Sequence, residues 1–156
     1  MLNIILPDFG LGNWRSTIRG WVAAHESYQN LSRWPGAETS DIVYDDNDSI
    51  LTQRLIEKGY LRSSIWRGCS PTYYIEVKTT PGPLHTQFYC TQHQYDLMED
   101  MKLSEGISAN RIYLIARVYA LGNSGMGLKF YLDPATLKRE RQLDFRVEKY
   151  IITPLA

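Results

Sequence analysis

The octapeptide Tyr73–Thr80, Tyr-Tyr-Ile-Glu-Val-Lys-Thr-Thr, constrains this chain more than any other stretch. It is β-branched and aromatic, Pro71 precedes it and Pro81-Gly82-Pro83 closes it, which predicts a strand with firm ends. Alternate residues of a strand share a face. Tyr73, Ile75, Val77 and Thr79 therefore form the set a sheet buries, and Tyr74, Glu76 and Lys78 point the other way. A carboxylate and an ammonium then stand about 7 Å apart along one face, in a strand otherwise made for an interior. Charges are costly in such a place unless they hold something.

Such a pair suits metal-dependent phosphodiester hydrolysis. The carboxylate holds a divalent cation, and the lysine orients water or offsets charge developing on phosphorus. It also suits an ion pair on a half-exposed sheet, and Glu-x-Lys alone leaves both readings open.

With 156 residues, 44% hydrophobic and 22% charged, the chain is expected to be a single domain with a real core. Its formal charge of zero argues against a general polyanion binder and leaves room for a local basic groove. Eleven Tyr and four Trp suggest a β-rich core or a binding surface. Cys69 and Cys90 lack metal or redox spacing and read as free thiols of a reducing compartment. No apolar run nears the ~20 residues of a membrane span, and Met1–Pro7 is too short for a signal peptide. A soluble, intracellular protein is expected, with the nucleus among its possible settings.

Along the chain, Leu2–Leu6 looks like the tail of an element begun earlier, which makes the chain an expected fragment of a longer protein. Asn13 could cap a helix over Trp14–Ala24, where Trp14, Ile18, Trp21 and Val22 have helical spacing; a strand over Thr17–Val22 competes with it. Residues 25–36 read as loop. Ser40–Tyr44 predicts a strand with Asp41 and Asp45 on one face. The turn Asp45–Ser49 follows, with Asp46 and Asp48 as solvated residues, and Asp48 or Ser49 launches a helix from Ile50 to Lys58 that Gly59 stops. Pro81–Phe88 is a loop, and Thr91 caps a helix from Gln92 to Leu103 that carries Gln94 in its first turn. Arg111–Leu121 is a strand, Gly122–Gly127 a hairpin turn rather than a phosphate loop, and Leu128–Leu132 a further strand. Asp133-Pro134 opens a short helical turn. Gln142–Val147 with Tyr150–Thr153 forms a closing hairpin or edge. His25, His85 and His93 show no metal spacing. Lys138, Arg139, Arg141, Arg146 and Lys149 read as a solvated face, with a phosphate-contacting edge as the minority alternative.

In this order, with Ser40-Asp41-Ile42, Ile75-Glu76-Val77-Lys78-Thr79-Thr80, Phe88-Tyr89, Gln94-Tyr95, Arg117-Val118-Tyr119 and Tyr131-Leu132-Asp133-Pro134 in place, the chain resembles the PD-(D/E)XK nuclease superfamily. More closely, it is similar to the Mrr-like branch formed by the C-terminal domain of the plant protein NO VEIN and its fungal relatives. That resemblance implies an α/β, restriction-endonuclease-like core, a mixed central β-sheet flanked by helices. It implies a Mg²⁺- or Mn²⁺-dependent nuclease acting on nucleic acid, DNA first. Asp41 and Glu76 would be the metal ligands, Lys78 the catalytic lysine and Gln94 the helix-borne polar residue beside them, with Asp45 as an alternative ligand. Two carboxylates bridging one ion should lie within about 4–6 Å of each other. The superfamily's helix ahead of the first core strand has no counterpart before Asp8, and the Ile50–Tyr60 helix would be an insertion. A catalytically silent nucleic-acid-binding module and a protein-interaction domain are the alternatives.

Overall fold

The computed structural model describes residues 6, 9–16, 19, 21–36 and 39–146. Four strands form its sheet: β1 (Ile42–Asp45), β2 (Thr72–Thr79), β3 (Arg111–Tyr119) and β4 (Gly127–Leu132), side by side in that order. β1 runs antiparallel to β2, β2 parallel to β3, and β3 antiparallel to β4. The chain is thus α/β with a mixed sheet flanked by helices. α1 (Ile50–Glu57) and α2 (Ser63–Trp66) join β1 to β2, α3 (Gln92–Asp100) lies in the crossover a parallel pair requires, and α4 (Pro134–Arg139) follows β4.

The alternation read in β2 and β3 divides their side chains between two packed layers. Tyr73, Ile75, Ile112, Leu114 and Ala116 pack with Ile42 and Tyr44 of β1 and with Leu51, Leu55, Leu61 and Trp66 from the α1–α2 segment. On the opposite face, Tyr113 and Ile115 pack with Met98 and Met101 at the end of α3, and Tyr74, Phe88, Leu97, Tyr131 and Phe145 fill in around them. Both faces of β2 are therefore covered, and its charged side lies under α3. The helix Ile50–Glu57 contributes Leu51 and Leu55 to one core layer.

α1 is held at both ends. Ser49 precedes it at φ 57° and gives no side-chain cap. Asp46 does that work from three residues upstream, accepting the Leu51 and Thr52 amides at 3.0 and 2.7 Å and the Thr52 hydroxyl at 2.7 Å. Asp46 is only 1% exposed, so the reading of it as a solvated turn residue is corrected; Asp48 is exposed. At the other end, Gly59 at φ 75° lets its own amide reach Ile56 and the Tyr60 amide reach Leu55 at 2.9 and 2.8 Å, a paired closure that needs a left-handed residue. The β3–β4 connection depends on a different glycine. A Cβ on Gly127 would stand 2.3 Å from the Tyr119 ring, so the strands can approach there only without a side chain.

The expected helix over Trp14–Ala24 is not formed among the described residues. Trp14 instead bridges Ile42 in antiparallel fashion, the Arg15 amide donates to the Asp41 carbonyl at 2.8 Å, and Asn13 Nδ2 donates to the Val43 carbonyl at 3.0 Å. The free edge of β1 offers unpaired backbone groups, and satisfying them outweighs an uncertain helical period. Short 3₁₀ turns stand at Leu11–Asn13, Val22–Ala24 and Glu26–Tyr28. Of the competing strand, Val22 belongs to a 3₁₀ turn, and residues 17, 18 and 20 lie outside the described residues. Gln142–Arg146 form no strand; the rest of the expected hairpin, with Lys149, also lies outside the described residues.

Candidate active site

Thr91 begins the assembly of the site. Its hydroxyl accepts the Gln94 amide at 3.1 Å, and the Gln94 side-chain oxygen accepts the Thr91 amide at 3.0 Å, a reciprocal cap on α3. The cap fixes which end of the Gln94 amide is oxygen. Its nitrogen is thereby aimed at β2, where it donates to Glu76 Oε1 at 2.6 Å. Lys78 Nζ lies 2.8 Å from the same Glu76 oxygen and 3.3 Å from Gln94 Oε1. Glu76, Lys78 and Gln94 thus form a closed triangle of charge-assisted bonds. It differs from a surface ion pair in one respect: Glu76 is 4% exposed.

Asp41 stands at the entry to β1. Its Oδ2 accepts the Val77 amide at 2.8 Å, a backbone donor on the residue next to Glu76. The Asp41 carboxylate is therefore tied to the backbone beside Glu76, and its charge acts on the Glu76 carboxyl. Burial raises the Glu76 carboxyl above its ordinary value. The Asp41 charge adds to the rise, while the Lys78 bond and charge and the Asp41 amide oppose it. Asp45 is not brought here: it faces Thr72 at the far end of β1 and accepts the Thr72 hydroxyl at 2.7 Å.

Two buried side chains on the same face of β3 carry signals that sequence reading passed over. Tyr113 is fully buried, its hydroxyl has no hydrogen-bond partner among the described residues, and its phenol is pushed up by burial and then by the charges of Glu76 and Asp41. Arg117, the register partner of Lys78, is 1% exposed. It donates to the Thr86 carbonyl at 2.8 Å and lies 4.8 Å from the Phe88 ring centre, pinning the loop that delivers Thr91 and Gln94. Both sit in a strand whose alternation reads simply as core.

Other candidates are placed elsewhere. His25, His85 and His93 are exposed. Lys138 bonds the Tyr95 hydroxyl and Arg146 pairs with Asp144 at 2.7 Å, so these two members of the C-terminal basic run are already engaged. Cys69 and Cys90 are free thiols, and partial burial pushes the Cys90 thiol up, with Lys78 opposing.

No third Asp, Glu, His or Cys joins Asp41 and Glu76 among the described residues. Two carboxylates suit a cation that keeps several waters, as Mg²⁺ does, and do not make a structural zinc site. They also repel each other in a buried setting, a cost a divalent cation would offset. No helix of the described residues is long and apolar enough to cross a membrane. Compared with protein-family models, with curated proteins and with solved structures, the chain matches none.

Proposed function

We propose that this chain is a Mg²⁺- or Mn²⁺-dependent nuclease-like domain of the PD-(D/E)XK, restriction-endonuclease-like kind, hydrolysing phosphodiester bonds of nucleic acid. The observation that carries the reading is the convergence of buried Glu76 with Lys78 and Gln94, with Asp41 tied in beside them. Asp41 and Glu76 would hold the cation. A cation held there supplies Lewis acidity toward a phosphoryl oxygen and acidifies a bound water. Lys78, whose side chain is 17% exposed, presents its ammonium at the rim of a poorly screened site, where it offsets charge that develops on phosphorus. Gln94 positions both Glu76 and Lys78, and it is itself locked by the Thr91 cap.

A charge used in the transition state raises rate more than affinity. Lys78→Ala is therefore expected to lower Mg²⁺- or Mn²⁺-dependent cleavage by about a hundredfold or more, with nucleic-acid affinity nearly unchanged. The measurement is single-turnover cleavage of single- and double-stranded DNA and RNA, alongside a binding titration. Full activity in Lys78→Ala would end that residue's assignment. A clean parent protein that cleaves nothing would overturn the reading. Salt-dependent nucleic-acid binding without cleavage would then mark a silent binding module, and the absence of both a protein-interaction domain.

A further inference from the structure

Residues 9–36 hold three arginines, Arg15, Arg19 and Arg33, against one acidic residue, Glu26, in a chain of zero net charge. Two of them converge on one ring: the guanidinium carbons of Arg15 and Arg19 lie 5.2 and 6.0 Å from the centre of the Trp34 indole. Gly36 seats that ring, since a Cβ there would stand 2.8 Å from Trp34 Cζ2. Arg19 is 8% exposed, and its Nη1 donates to the Trp14 carbonyl at 2.8 Å. The Nε of Arg19 and that of Arg15 are both buried and lack a hydrogen-bond partner among the described residues. No acidic side chain of the described residues pairs with either guanidinium. The Arg15 amide donates to the Asp41 carbonyl at 2.8 Å, so the cluster adjoins the Asp41 end of β1 and the candidate active site.

A buried guanidinium ordinarily has an anion or several acceptors around it. An aromatic ring attracts the charge but accepts no strong hydrogen bond. Each guanidinium carries five N–H donors, and two like charges gathered at one ring repel. An anion held by both offsets that repulsion and takes the open donors. The pair of charges narrows its kind, because one carboxylate is matched by a single guanidinium fork. A phosphate ester brings more acceptor oxygens and, as a monoester, about two negative charges, and arginine forks fit it in bidentate fashion. We propose that Arg15 and Arg19, braced on Trp34, bind a phosphate group, borne either by a nucleic-acid strand or by a free mononucleotide. The inference requires no cleavage activity.

The test is a titration of the full chain in buffer free of divalent cations, read by tryptophan emission and by the arginine Nε–H signals. Thymidine 5′-monophosphate is the probe, and thymidine, which lacks only the phosphate, its control. Saturable binding of the monophosphate is expected, with thymidine at least about tenfold weaker and the Arg15 and Arg19 signals moving together. Arg15→Gln should weaken the monophosphate about tenfold while the melting transition stays cooperative. Arg15→Lys, which keeps the charge without the fork, should weaken it less. Arg139→Gln, at an exposed arginine on α4, should change nothing. Should Arg19→Gln not fold, the movement of the Arg19 signal in the parent chain tests its part. Oligothymidylate tighter than the monophosphate identifies a nucleic-acid strand, and equal affinity a free nucleotide. Glutarate bound as tightly as the monophosphate would mark a carboxylate-bearing partner instead and overturn the proposal. So would equal binding of thymidine, no saturable binding at all, or an Arg15→Gln effect no larger than that of Arg139→Gln.

Discussion

Glu76 is where packing and chemistry oppose each other at a single residue. Its folded carboxyl is raised above the ordinary value of 4.5, burial first and the Asp41 charge next. The folded chain therefore binds that proton more tightly than the unfolded chain does. The stabilisation this gives is complete below the ordinary value and is lost as pH climbs through the raised folded value. Glu76→Gln removes the charge but keeps an oxygen for Lys78 and Gln94. In metal-free neutral buffer the variant is expected to melt above the parent, and the gap should close as pH falls below 4.5. A variant that melts lower at neutral pH would show instead that the Lys78 ion pair outweighs desolvation of Glu76. Much of this site was legible in the chain: strand alternation put Glu76 and Lys78 on one face, and Thr91 followed by Gln94 marked a helix start that aims a side chain back. Tyr113 and Arg117 were not legible, because an aromatic or arginine in an alternating strand shows neither whether its polar atoms find partners nor what lies over it.

At the scale of one element, α1 shows how a buried cap ties a helix to a sheet. The Asp46 carboxylate takes two amides and the Thr52 hydroxyl, and that hydroxyl lies 2.8 Å from the Tyr73 hydroxyl inside the core. Asp46→Ala would leave two helix-end amides and part of that chain of hydroxyls without partners. The expected cost is about 2–3 kcal/mol in urea unfolding, from the lost cap and the unsatisfied buried donors together. Asp48→Ala, two residues on and exposed, should change nothing measurable, and comparable losses in both variants would contradict the role given to Asp46. Asp45, Asp46 and Asp48 look alike in a sequence. What separates them is Thr52, whose hydroxyl bonds Asp46 and meets the Tyr73 hydroxyl once α1 has packed on β2. The N-terminal segment failed for a related reason. Trp14, Ile18, Trp21 and Val22 fit a helical period, yet the partner that decides for Trp14 is the open edge of β1, 28 residues away in sequence as Ile42.

For the whole molecule, that edge governs how the sheet ends and how Asp41 is held. β1 has only four residues, a short edge strand of the kind that needs covering. Its cover is the segment around Asn13–Arg15, which contributes the Trp14–Ile42 bridge and the bonds to the Val43 and Asp41 carbonyls. The central strands do not depend on this segment: Ile112, Leu114 and Ala116 of β3 are enclosed by β2, β4 and the α1–α2 layer. Removing residues 1–16 should therefore open the molecule locally before it opens globally. Amides of β1 are expected to exchange with solvent at least about tenfold faster in the shortened chain, an opening cost lowered by about 1.4 kcal/mol or more. Amides of β3 should lose no more protection than the fall in global stability measured in urea. The same truncation removes the bond from the Arg15 amide that seats the Asp41 backbone. Protection lost equally in β1 and β3 beyond the global change would show instead that the segment belongs to one cooperative unit with the sheet's centre, and that Asp41 is positioned by the whole fold rather than by a local strap.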